Sequence, residues 1–124
     1  MTFELKMTKG RDGWKAQSEI TLGECDGMSA GTRGERILKL STYKHPRGGI
    51  WSLASVAVRE HREGGYYSES TMLFQDYNKT VQHIAAARAT EKAIKQAHET
   101  ALRSFPAIIE EARAQYAAKA QAAA

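Results

Sequence analysis

Cys25 is the only cysteine in a chain of 124 residues, so it has no partner within the chain. That excludes an internal disulfide framework and makes a reducing compartment the natural one. Long apolar runs are also missing: no stretch approaches the roughly 18 residues that span a bilayer as a helix. The opening MTFELKMTKG has no apolar core and carries Glu4, Lys6 and Lys9, so it does not read as a secretory signal. These absences predict a cytoplasmic protein with no membrane partner. Metal-ligand spacing is absent too. His45, His61, His83 and His98 are scattered along the chain, without the close C-x-x-C or H-x-x-x-H spacing that clamps one ion. No G-x-S-x-G elbow and no G-x-G-x-x-G or Walker-type phosphate loop occurs. Glu110 and Glu111 are adjacent and point to different faces of a helix. The expectation is therefore a non-catalytic protein with no cofactor and no metal.

What is present organises around Gly34 to Tyr77. GERILKLSTYK, GIWSLASVAVREH and YYSESTMLFQDY read as three long strands, joined by the glycine-bearing turns HPRGG and REGG. Ahead of them Phe3, Leu5 and Met7 alternate with Glu4, Lys6 and Thr8, a half-buried strand. GRDG is a hairpin turn, and Trp14 to Leu22 alternates again. Gly23 to Gly34 has four glycines and no period, which predicts a loop of a dozen residues. Ile50 to His61 is apolar on both parities. That predicts either a central strand covered on both sides or a bulge that switches the face midway.

After Tyr77 the period becomes helical. Asp76 or Asn78 offers an N-cap, and a helix is expected from about Lys79 to Arg103. Ser104-Phe105-Pro106 interrupts it, because proline lacks a backbone donor yet suits a first helical turn. A second helix is expected from about Phe105 to Ala118. The fold class is thus α+β: an antiparallel meander of about five strands over residues 2–77, then two C-terminal helices over 79–118 packed on one face. A frayed tail over 119–124 completes a single domain. The expected core joins Leu38, Leu40, Val56, Val58, Met72 and Phe74 to Ile84, Ile94 and Leu102. The stripe Phe105, Ile108, Ile109, Ala112 and Tyr116 lies beyond the helix expected to cover the sheet. It predicts a homodimer or higher homo-oligomer, with internal folding-back of the second helix as the alternative.

Lysine and arginine outnumber aspartate and glutamate by 18 to 14, a net charge of +4. The excess suits an anionic partner, although it serves solubility equally well. Cations and aromatic residues interleave in the central strands. Lys39, Tyr43, Lys44, Arg47, Trp51 and Arg59 form the candidate nucleic-acid-binding set: cations neutralise phosphates, and aromatic faces stack unpaired bases. Lys39, Ser41 and Tyr43 share one strand face, and Lys44 and Arg47 flank a glycine-rich tip. The competing reading leaves Trp51 in the core and the arginines solvating strand edges.

The order of elements resembles the single-stranded-DNA-binding fold of the transcriptional positive cofactor and Whirly families. The resemblance spans about Lys15 to Arg103. It rests on element order, on the basic strand ILKLSTYK and on the short step MLFQDYNKTV into the helix. It implies a sheet surface presented to single strands by a dimer. An extra N-terminal strand and a second C-terminal helix depart from that pattern. The function expected is a non-catalytic single-stranded nucleic-acid-binding protein. The alternative is a non-catalytic protein-interaction module, an adaptor or an inhibitor encoded by a mobile element.

Overall fold

A computed structural model of the protein describes residues 3–26, 31–61, 67–71 and 77–123. Strands β1 (Lys6–Gly10) and β2 (Gly13–Asp26) form the N-terminal hairpin around Arg11 and Asp12. Gly13 takes a φ of +106° there, a conformation that needs glycine. Strands β3 (Arg33–Lys44), β4 (Ile50–His61) and β5 (Tyr67–Thr71) continue the antiparallel meander in the spatial order β1-β2-β3-β4-β5. Helices α1 (Glu91–Leu102) and α2 (Phe105–Ala123) follow, split at the Ser104-Phe105-Pro106 break. The class is α+β, as the alternation predicts.

Two departures from the sequence reading share one cause. Residues Asn78–Ile84 are a strand, β6, and not the start of a helix; β6 pairs antiparallel with β4. The register shifts between Ser52 and Leu53, so that Ser52 faces Gln82 while Leu53 faces Thr80. Val81 is the extra residue of this bulge. A bulge resets the two-residue period, so Val81 and Ile84 come to lie three apart on one side and imitate a helical spacing. The second departure is in β2, which runs on to Asp26 where a loop is expected from Gly23. There too the register shifts, between Thr21 and Gly23, and the alternation visible in the sequence stops at Leu22. Beyond the bulge Cys25 pairs with Gly34 and is buried. The N-cap of α1 is Thr90, whose side chain accepts from the Ala93 N–H at 3.2 Å, in place of Asp76 or Asn78. The tail expected to fray continues α2 as helix to Ala123.

Register and burial sort the strand residues into two faces. Ile20, Leu38, Leu40, Ala54 and Val56 line one of them and pack with Phe105, Ile108, Ile109 and Ala112 of α2 and Ala101 of α1. A second cluster joins Ala16 and Ile50 to Ile94 and Ala97 of α1. The expected core positions Leu38, Leu40, Val56, Val58 and Ile94 are buried, and Leu102 is partly so. Ile84 instead is 40% exposed, and Met72, Phe74 and the REGG turn lie outside the described residues. The stripe of α2 that suggested a partner protomer is buried within the chain, with Phe105 at 0% exposure and edge-on to Phe3. Its cover is chiefly the sheet itself, at Leu38, Leu40, Ala54 and Val56, with Ala101 of α1 beside them, and not the first helix as the folding-back alternative supposed.

Polar groups also cross this interface. His98 of α1 is fully buried. Its Nε2 lies 2.9 Å from Ser18 Oγ and its Nδ1 lies 2.8 Å from Thr42 Oγ1. Thr42 Oγ1 is 2.7 Å from Ser52 Oγ, and Gln82 Nε2 donates both to Ser52 Oγ at 2.9 Å and to the Ala97 carbonyl at 2.6 Å. This network ties β2, β3, β4 and β6 to α1 and satisfies each buried group it contains.

Candidate nucleic-acid interface

The other face of the sheet carries the odd-numbered residues of β3 and β4. Cross-strand register sets them in rows. Lys15, Tyr43, Trp51 and His83 follow one another across β2, β3, β4 and β6. The next row holds Gln17, Ser41 and Leu53, and the one after it Glu19, Lys39 and Ser55. Further down are Thr21, Ile37 and Ala57, then Glu24, Glu35 and Arg59. The upper end of this face lies beside the β1–β2 turn and the β3–β4 hairpin.

The hairpin fixes the upper end. Gly48 and Gly49 have φ of +97° and +82°, and the His45 N–H donates to the Gly49 carbonyl at 3.0 Å. A side chain at Gly49 would run into the Ile84 carbonyl and Ala85 backbone, so only glycine lets the hairpin lie against the end of β6. This approach brings His45 of the hairpin beside His83 of β6. Their rings are 4.5 Å apart, His45 stands edge-on to Trp51 at 5.0 Å, and Trp51 lies 5.7 Å from Tyr43. The Lys15 ammonium sits 5.9 Å above the Tyr43 ring, a cation–π contact. The indole N–H of Trp51 points to Thr80 Oγ1 at 3.4 Å. The Arg47 N–H donates to His45 Nδ1 at 3.1 Å, which leaves the proton of a neutral ring on Nε2. Burial raises the pKa of the Tyr43 hydroxyl further above the ordinary tyrosine range, in which the group already keeps its proton at neutral pH and can donate.

Beside this aromatic row is a groove of about 930 Å³. Arg11, Lys15, Lys39 and Lys44 line it with one carboxylate, Asp12. Gln17, Ser41 and Tyr43 form its floor. The arrangement offers cations for phosphates beside rings for bases, on a face that neither described helix packs against.

Of the residues singled out in the sequence, Lys39 and Tyr43 share the open face as expected, and Trp51, for which a core position was the competing reading, lies on it opposite Tyr43. Lys44 ends β3 opposite Ile50, and its side chain reaches the groove. Arg47 is exposed at the hairpin tip. Arg59 has the expected parity but stands apart. Its Nη2 contacts both carboxylate oxygens of Glu19 at 3.0 Å, and its side chain is only 13% exposed. Lys15, Arg11, His45 and His83 were missed. Lys15 was within reach, because its strand parity is plain and the hairpin sets it against β3. His83 was not, since β6 reads as helix.

Comparison of the chain with protein-family models, with curated proteins and with solved structures gives no match. Among the described residues no helix is long and apolar enough to cross a membrane, and no group of three or more histidine, cysteine or acidic residues could hold a metal ion.

Proposed function

We propose that the protein is a non-catalytic, cytoplasmic single-stranded nucleic-acid-binding protein that uses the open face of its sheet. The observation that carries this reading is the row Tyr43, Trp51, His45 and His83 beside a groove with four cations and one carboxylate. Rings standing on a sheet can stack only bases whose faces are free, which favours single strands over duplex. Lysine and arginine around the rings neutralise phosphates without reading sequence. Lys39, Tyr43, Lys44, Arg47 and Trp51 remain in the binding set, joined by Lys15 and Arg11. The likeness in element order to the transcriptional positive cofactor and Whirly families belongs to this proposal, without the step MLFQDYNKTV into the helix, since Asn78–Ile84 is strand β6 and the first helix begins at Glu91. A homodimer does not, because the apolar stripe that argued for one is covered inside the protomer.

Fluorescence anisotropy with single- and double-stranded oligonucleotides of about 20 nucleotides tests the reading. Single strands should bind in preference to duplex, and affinity should fall steeply as salt rises. A parent protein that shows no shift with the single strand, at low salt and high micromolar concentration, would sink it. The protein-interaction module would then take its place, with the exposed Ile84 at the end of β6 as the first residue to examine.

A further inference from the structure

A single strand on the open face could follow two tracks. One runs down the sheet along β3, from Tyr43 past Lys39 toward Glu35. The other crosses the strands at the upper end, from Lys15 over Tyr43 and Trp51 to His83. We infer that nucleic acid takes the second track, perpendicular to the β-strands, and that the site holds a segment on the order of four nucleotides. This inference rests on the nucleic-acid reading above and adds the path and length of the bound strand.

Three observations favour the crossing track. Rings are continuous only across the sheet: successive centroids are 5.7, 5.0 and 4.5 Å apart from Tyr43 through Trp51 and His45 to His83. Down β3 the residues on this face are Ser41, Lys39, Ile37 and Glu35, with no second ring. The row from β2 to β6 spans three interstrand gaps, or about 14 Å, which limits the segment to a few nucleotides. Charge divides the face in the same way. The groove at the upper end has Arg11, Lys15, Lys39 and Lys44 against Asp12. Toward the lower end Glu19 engages Arg59, Glu24 faces Glu35 in register, and Arg33 bonds Asp26 at 3.0 Å. A phosphate moving down the sheet leaves a cationic field for carboxylates. Burial marks the boundary: Ile37 and Ala57, on the same face, are only 1% and 4% exposed, so this part of the surface is closed to a ligand.

A matched pair of substitutions on one strand separates the tracks. Gln17 and Thr21 both lie on the open face of β2, four residues and about 13 Å apart. Gln17→Glu puts a carboxylate in the groove floor. Thr21→Glu puts the same group in the lower half, about 20 Å from Lys15 and beyond the Debye length of about 8 Å at physiological salt. For a single strand of about 20 nucleotides, read by anisotropy, Gln17→Glu and Lys15→Ala should each weaken binding about fivefold or more, and Thr21→Glu should leave it within about twofold. Trp51→Ala should cost about tenfold while Trp51→Phe, which keeps a ring, should recover most of it. Urea midpoints for all five variants show that each is folded. With oligothymidylates of increasing length, affinity should climb to about four nucleotides and then flatten. If the parent binds but Thr21→Glu weakens it as much as Gln17→Glu, or affinity climbs steadily past about eight nucleotides, the crossing path is wrong and the nucleic-acid reading stands. A parent protein that binds no single strand overturns both.

Discussion

His98 shows how one side chain can carry a pH dependence. It is fully buried between α1 and the sheet, and burial lowers its pKa to about 4. Both ring nitrogens have hydroxyl partners, and a hydroxyl can donate or accept as the neutral ring requires. In the unfolded chain a histidine titrates near 6.5. The unfolded state therefore binds the extra proton more readily. The contribution of His98 to stability is full above about pH 6.5 and falls as the pH drops toward 4, by on the order of 3 kcal/mol. Urea unfolding from pH 7 to pH 4 checks this against His98→Ala. The variant should be less stable at pH 7, since it leaves Ser18 without its partner, and should lose less than the parent on acidification. Equal acid losses in both proteins would place the titration elsewhere.

At the scale of elements, the bulges decide most. The one opposite Ser52 and Leu53 lets β6 keep Val81 and Gln82 toward the helices while His83 joins the aromatic row. The β3–β4 hairpin then locks against β6 through Gly49. Gly49→Ala should destabilise the protein by more than about 1 kcal/mol, because its φ is +82° and an added Cβ meets the backbone of Ile84 and Ala85. If the row depends on this contact, Trp51 fluorescence should also change in the folded variant. Thr90→Ala removes the cap of α1 and should cost about 1 kcal/mol in thermal or urea unfolding. A null effect would mean that α1 is held by Ile94 and Ala97 packing alone.

Among the described residues the two main apolar clusters lie on the helix side of the sheet, and the row Tyr43, Trp51 and His83 with its groove cations lies on the other. Helix α2 is central to that division, because Phe105, Ile108, Ile109 and Ala112 fill the cluster over Leu38, Leu40 and Val56. Phe105→Ala should cost about 3–5 kcal/mol. The loss should not vary with protein concentration, since the stripe is covered within one protomer. A concentration-dependent midpoint would instead show a stripe shared between chains. Covering one face with helices leaves the opposite one to carry Lys39, Tyr43 and Trp51.

Local pattern determined a good deal. Alternation at Trp14–Leu22 and Ile37–Lys44 specifies which side of a strand each residue takes, so the common face of Lys39, Ser41 and Tyr43 was legible. Glycine at 48 and 49 marked the hairpin, and Pro106 the break between helices. These features depend on backbone sterics within a few residues. Register and coverage depend on residues far apart in the chain, so only the tertiary structure decided them. Lys15 meets Tyr43 through strand pairing, His98 meets Thr42 and Ser18 across 56 and 80 residues, and Glu19 engages Arg59 from across the sheet. Bulges reset the two-residue period at Leu22 and Val81, and the pattern on which face assignment relies is lost at those positions.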